Sequence, residues 1–132
     1  MAEQRRGLLD TSVLIDHDLI DASRFPDESA ISSVSLAELA AGPHSTDDED
    51  ERARRQDRLH WAATTWDALP FDADAARSYG RVFAAARTSG RTRPRLADLL
   101  IAATAIASGL ALYTRNADDF ADLAEIVDVV GV

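Results

Sequence analysis

The sequence predicts an α/β fold on a mainly parallel sheet, and three observations predict it. Short apolar runs at 8–9, 111–114 and 126–130 have the length and composition of buried strands. Longer segments between them, above all 48–66, 72–89 and 96–108, have helical spacing or a continuous Ala, Leu and Ile composition. Strands that alternate with helices in this way pair in parallel.

The elements follow in chain order. Leu8 and Leu9 form a strand that ends at Asp10, and a short helix occupies 11–18, with Thr11 or Ser12 at its start. A turn-rich connection leads past Pro26 to a brief strand at 30–32. Ser32 or Ser33 then caps a helix over 34–41, which Gly42-Pro43 terminates. The helix over 48–66 carries Ala53, Leu59, Ala62, Ala63 and Trp66 on one face and Arg52, Arg54, Arg55 and Arg58 on the other. Residues 69–71 read as a brief strand. Asp72 or Asp74 caps the next helix, and 90–95 form a basic loop. The helix over 96–108 is closed by Gly109, and a loop with a short helix separates the strand at 111–114 from the one at 126–130.

At 132 residues the chain is one domain, spanning 1–132, with room for a single core. It lacks cysteine, which excludes thiol catalysis and cysteine-ligated zinc and fits a reducing cytoplasm. The first residues lack the apolar core of a signal peptide. Asp98 and Gly109 interrupt the apolar stretch 96–113, so no membrane segment is expected. The formal charge is −9, and every basic residue is arginine. An acidic chain binds phosphate backbones poorly unless an arginine patch or a metal reverses the local field.

Among 23 acidic residues, those inside apolar segments are informative. Asp10 ends the first strand. Glu38 is the only charge within 31–42, and Asp98 the only one between Arg95 and Arg115. Asp118 and Asp119 follow the strand that ends at Thr114. Each has an ordinary explanation: a helix cap for Asp10, a capping box with Ser35 for Glu38, a helix-dipole partner for Asp98. Together they suggest convergence, because parallel strands bring Asp10 and the region after Thr114 to one sheet edge. Two carboxylates about 4 Å apart repel by about 4 kcal/mol at an effective dielectric of 20. A converging set therefore needs a cation or raised pKa values. Oxygen donors without clustered His point to magnesium or manganese, and to metal-assisted attack of water on a phosphodiester.

Leu8-Leu9-Asp10-Thr11-Ser12, Glu38 in its short helix, the run from Leu96 through Asp98 to Ala105, and Thr114-Arg115-Asn116-Ala117-Asp118-Asp119-Phe120 resemble the four motifs of PIN-domain nucleases. The similarity is to the VapC-type toxins of type II toxin–antitoxin pairs, and it spans nearly the whole chain. It implies a three-layer α/β/α fold with four to five strands. It also implies a magnesium-dependent endoribonuclease in which manganese can substitute, usually a homodimer, inhibited by a cognate VapB-type antitoxin. Asp10, Glu38 and Asp98 match the family's metal-binding acids. Some relatives have an acid where Asn116 stands, so Asp119 becomes the candidate for the fourth catalytic position. Ser12, Thr114, Asn116 and Asp118 are candidates for support.

Arg91, Arg93, Arg95 and Arg115 are candidate contacts for RNA phosphates, since an acidic pocket needs cationic guidance for its substrate. The cluster from Arg52 to Arg58 reads as a solvated face balanced by the acids of 47–51. His17, His44 and His60 are scattered and read as surface or packing residues, and Trp61 and Trp66 as core or dimer packing. The alternative to an enzyme is a non-catalytic α/β interaction module that binds a basic protein partner through an acidic groove.

Overall fold

The computed structural model describes residues 4–88 and 95–132. Four strands form one sheet: β1 (Arg6–Leu9), β2 (Glu28–Ile31), β3 (Ala111–Thr114) and β4 (Val129–Gly131). Their order is β2-β1-β3-β4 and every pair is parallel. Leu9 lies opposite Ile31 on one side and Tyr113 on the other, so three strands end at one sheet edge. The helices are α1 (Thr11–Ile15), α2 (Ser33–Ala41), α3 (Glu49–Thr65), α4 (Ala73–Thr88) and α5 (Leu96–Ser108).

Strand alternation divides the core into two. Leu8 and Leu112 pack with Val82 and Ala86 of α4, Ile101, Ala102 and Ala105 of α5, and Phe120. Their neighbours Leu9, Ile31 and Tyr113 pack on the other face with Val13 and Leu14 of α1, Leu39 of α2 and Ala62 of α3. Successive strand side chains point to opposite faces, so both faces are covered and the layers run α/β/α. Each fully buried Leu or Ile in these layers contributes about 1.5–3 kcal/mol.

The helix ends follow local chemistry. Ser32 Oγ accepts the Val34 N–H at 2.9 Å, and Asp48 accepts the N–H groups of Asp50 and Glu51 at the start of α3. Gly109 takes a left-handed φ of 67° and closes α5. Gly7 allows a close approach: a Cβ there would stand 2.4 Å from the Tyr113 ring.

Three elements differ most from the sequence reading, besides β2, which covers Glu28–Ile31 and not 30–32. The helix expected over 11–18 stops at Ile15, and a separate 3₁₀ turn covers His17–Leu19. The strand expected at 69–71 shrinks to one bridge, in which the Leu69 N–H donates to the Ile31 carbonyl and its own carbonyl accepts from Ser33. Pro70, next in line, has no N–H to continue the ladder. The last strand starts at Val129 rather than 126, because the N–H groups of Ile126 and Val127 both donate to the Leu123 carbonyl and form a turn. Among the described residues no helix is long and apolar enough to cross a membrane.

Candidate active site

Asp10 is held at the sheet edge by its backbone first. Its N–H donates to the Tyr113 carbonyl at 3.0 Å, extending the β1–β3 ladder one step beyond the strand. Its side chain caps α1, accepting from the Val13 N–H at 3.2 Å and the Ser12 hydroxyl at 2.5 Å. The cap expected from sequence exists, yet it leaves the carboxylate almost completely buried, at 3% exposure. Burial pushes the Asp10 carboxyl above its ordinary value, although hydrogen bonds from Ser12, Thr114 and the backbone pull it down.

Glu38 projects from α2 toward the same edge. Ser32, not Ser35, caps that helix, so Glu38 is an interior residue and the capping-box explanation falls away. Its Oε1 accepts the Thr11 hydroxyl at 2.6 Å, and Thr11 Oγ1 lies 3.0 Å from Ser35 Oγ. Ser35 is fully buried one turn before Glu38 and fixes this junction between α1 and α2.

Asp98 enters from the first turn of α5, with its side chain 18% exposed. Burial is the main cause that raises its carboxyl. Arg95 opposes the shift, while the charges of Asp10 and Glu38 add to it. Two of the lone acids of the sequence, Asp10 and Glu38, thus lie near enough to bear on the third, Asp98. Arg95 answers the charge of Glu38 and Asp98: its Nη2 lies 3.8 Å from Glu38 Oε2 and its Nε 4.0 Å from Asp98 Oδ2.

The end of β3 completes this edge. Thr114 is fully buried, and its hydroxyl accepts the Asn116 N–H at 3.0 Å. The Arg115 N–H donates to Ser12 Oγ at 3.0 Å. The Arg115 guanidinium turns away, to Asp16 at 3.3 Å and the Val132 carbonyl at 3.2 Å. Asp118 and Asp119 stand exposed on a 3₁₀ segment, Ala117–Leu123, anchored by buried Phe120 and Leu123.

The PIN domain family profile matches residues 7–126, a span that holds every one of these acids. The chain belongs to the PIN-domain family. Over 131 residues it is 40% identical to Ribonuclease VapC5 of Mycobacterium tuberculosis, covering 96% of this chain and 95% of that protein. A chain in the crystal structure of VapBC-5, a member of the VapBC family of toxin–antitoxin systems from the same organism, superposes with a TM-score of 0.86 at 39% identity. That match covers 96% of this chain and 98% of the other. FitAcB from Neisseria gonorrhoeae gives a TM-score of 0.73 at 26% identity, over 94% and 96% of the two chains.

In this PIN domain Glu38 and Asp98 flank Arg95, and the carboxylates do not close on one point. Among the described residues no three His, Cys, Asp or Glu side chains converge closely enough to hold a metal. The donor chemistry nevertheless suits a hard divalent cation. The available groups are carboxylate oxygens, a guanidinium already stands where positive charge is favoured, and magnesium needs only one or two carboxylates with retained waters. Arg91 and Arg93 lie outside the described residues.

A cleft of about 350 Å³ opens from Glu38 and Arg95 toward α3, lined there by Glu51, Arg55 and Arg58. Sequence reading missed this wall of the PIN domain. Arg52 donates to the carbonyls of Pro43 and Thr46, and Arg55 to that of Gly42, so these arginines tie α3 to the turn Gly42–Ser45. The spacing of Arg55 four residues after Glu51 held part of that signal.

Proposed function

We propose that this PIN domain is the toxin of a type II toxin–antitoxin pair and a magnesium-dependent endoribonuclease restrained by a VapB-type antitoxin. The observation that carries the proposal is placement: Asp10 at the end of β1, Glu38 on α2 and Asp98 on α5 lie near one another, with Arg95 within 4.0 Å of both Glu38 and Asp98. The kinship with Ribonuclease VapC5 supplies the reaction class.

Asp10, Asp98 and Glu38 are the residues that would hold magnesium or manganese. A cation there neutralises phosphate charge and lowers the pKa of a bound water. The remaining roles belong to the chain. Ser12 and Thr114 hydrogen-bond the buried Asp10 carboxylate and favour its ionised form. Thr11 orients Glu38. Arg95, released from the carboxylates, is free to meet a phosphate, with Arg91 and Arg93 as further candidates. The Arg115 guanidinium, held by Asp16 and Val132, is left out of that set. Asp119 remains the proposed fourth acid, with Asn116 and Asp118 beside it. Self-association as a homodimer is part of the same proposal.

The test is RNA cleavage in magnesium and in manganese, with and without co-purified antitoxin. Cleavage should require the cation, stop with antitoxin, and fall at least about 100-fold in Asp98→Asn. Undiminished cleavage by Asp98→Asn would overturn the mechanism. Absence of any cleavage together with binding of a basic peptide would favour the non-catalytic module.

A further inference from the structure

We infer that Arg58 on α3 is a phosphate-positioning residue, and that the RNA strand leaves the carboxylate centre along the wall of α3. The inference rests on the ribonuclease reading and deepens it by giving the substrate a direction.

The first observation is the state of the α3 arginines. Arg54 and Arg55 share the two oxygens of Glu51, at 2.8 and 3.0 Å. Arg52 is used by the carbonyls of Pro43 and Thr46. Arg58 has no acid at the helical positions three or four residues away: these are Arg54, Arg55, Trp61 and Ala62. Among the described residues it is the α3 arginine without a hydrogen bond or ion pair. It is also half-buried, so its stem is packed while its charge remains unanswered.

The second observation is its position. Arg58 lines the cleft that holds Glu38 and Arg95 and also a second cleft, of about 360 Å³, with Arg54, His17, Trp61 and the exposed acids Asp18 and Asp57, neither of which pairs with it. It therefore stands on the ridge where the two clefts meet. The charged lining of the first cleft is three arginines against two glutamates, a positive balance on a chain of net charge −9. Glu51 is neutralised by Arg54 and Arg55, and Glu38 faces Arg95. Arg58 is the unmatched charge of this lining. A guanidinium fork in a cleft, with no carboxylate in ion-pair contact, suits a bidentate contact to phosphate. A phosphodiester flanking the scissile one meets that requirement and extends the strand away from Arg95.

Steady-state cleavage of a fluorogenic single-stranded RNA in magnesium, over a range of salt, tests this with the full chain. Arg58→Gln should raise KM about 5–10-fold and leave kcat within about twofold, because the contact is the same in ground and transition states. The slope of log kcat/KM against log salt should become shallower by about 0.7, the value for one phosphate contact on a single strand. Arg58→Lys should restore the slope but only part of the KM. Arg77→Gln, which removes an exposed arginine paired with Asp74 on α4, should change neither. An Arg58→Gln protein with unaltered KM and slope overturns the inference and leaves the ribonuclease reading standing; that result is expected if a protein segment, not RNA, fills the cleft. A fall in kcat alone overturns it too. Absence of cleavage by the unaltered chain overturns the ribonuclease reading and this inference with it.

Discussion

The backbone N–H of Arg115 donates to Ser12 Oγ at 3.0 Å, across 103 positions of sequence, and Ser12 in turn donates to Asp10 at 2.5 Å. This relay couples the loop after β3 to the buried carboxylate at the end of β1. Because Arg115 already engages the lone pairs of Ser12, the hydroxyl proton is directed at Asp10.

Ser12→Ala removes the largest of the hydrogen-bonding effects that lower the Asp10 carboxyl against burial. The carboxyl must then rise further, and metal binding, which needs the ionised form, is delayed to higher pH. A hydrogen bond to a charged group is worth about 1.5–3 kcal/mol. RNA cleavage should therefore fall about tenfold on the acidic side of the pH profile and change little on the alkaline side. An equal loss at all pH values would show that Ser12 acts only on structure.

Asp98→Asn should stabilise the protein when metal is chelated. The folded carboxyl sits above the ordinary value of 3.8, through burial and the charges of Asp10 and Glu38. Between 3.8 and that raised value the folded chain binds more protons than the unfolded one. Stability of the metal-free protein consequently falls as pH rises through the window. An uncharged Asn escapes this loss. Scanning calorimetry in EDTA at neutral pH should give a Tm about 3 °C higher, as about 1 kcal/mol produces in a domain of this size. The gap should narrow as pH falls toward the window; a lower Tm at neutral pH would contradict the argument.

Arg95→Gln separates the two roles proposed for that residue. Its guanidinium answers Glu38 and Asp98 from 3.8 and 4.0 Å, yet its side chain is 77% exposed, so screening keeps the effect modest. Isothermal titration with manganese, without RNA, should show about threefold tighter binding in the variant, because a competing cation is gone. KM for RNA should rise at the same time if Arg95 meets phosphate. Weaker manganese binding would mean that Arg95 organises the acids instead of competing for them.

Asp10, Glu38 and Asp98 were legible because each is a lone charge in an apolar segment, where a burial penalty demands a reason. The parallel sheet was legible for a related cause: strands covered on both faces must be apolar throughout, as Leu8–Leu9 and Leu112–Tyr113 are. Arg58 was not legible. It stands among four arginines beside a run of acids, and only the structure shows that Glu51 answers Arg54 and Arg55 and leaves Arg58 over. The partners of the Arg115 guanidinium were not legible for a similar reason, since Asp16 is 99 positions away and Val132 lies just past the end of another strand. The start of β4 depended on the Leu123 carbonyl capturing two N–H groups, which hydrophobicity does not reveal.

Gly7 and Gly80 are two glycines whose replacement by alanine should have opposite effects. A Cβ at Gly7 would stand 2.4 Å from two atoms of the Tyr113 ring and 3.2 Å from Pro26 Cγ. Tyr113 is buried and cannot swing aside without disturbing the core it shares with Leu9 and Ile31. Gly7→Ala should cost about 1–3 kcal/mol by overpacking. Its effect should also reach the site, because the Tyr113 carbonyl holds the Asp10 N–H. At Gly80, inside α4, a Cβ meets nothing within 4 Å, so Gly80→Ala should stabilise by about 0.4–1 kcal/mol through lower unfolded-state entropy. Urea denaturation of both variants checks the signs, and RNA cleavage should fall in Gly7→Ala and remain unchanged in Gly80→Ala. A Gly7→Ala protein of full stability would mean that the Tyr113 ring has space to move, and the tight packing of β1 against β3 would no longer explain how Asp10 is held.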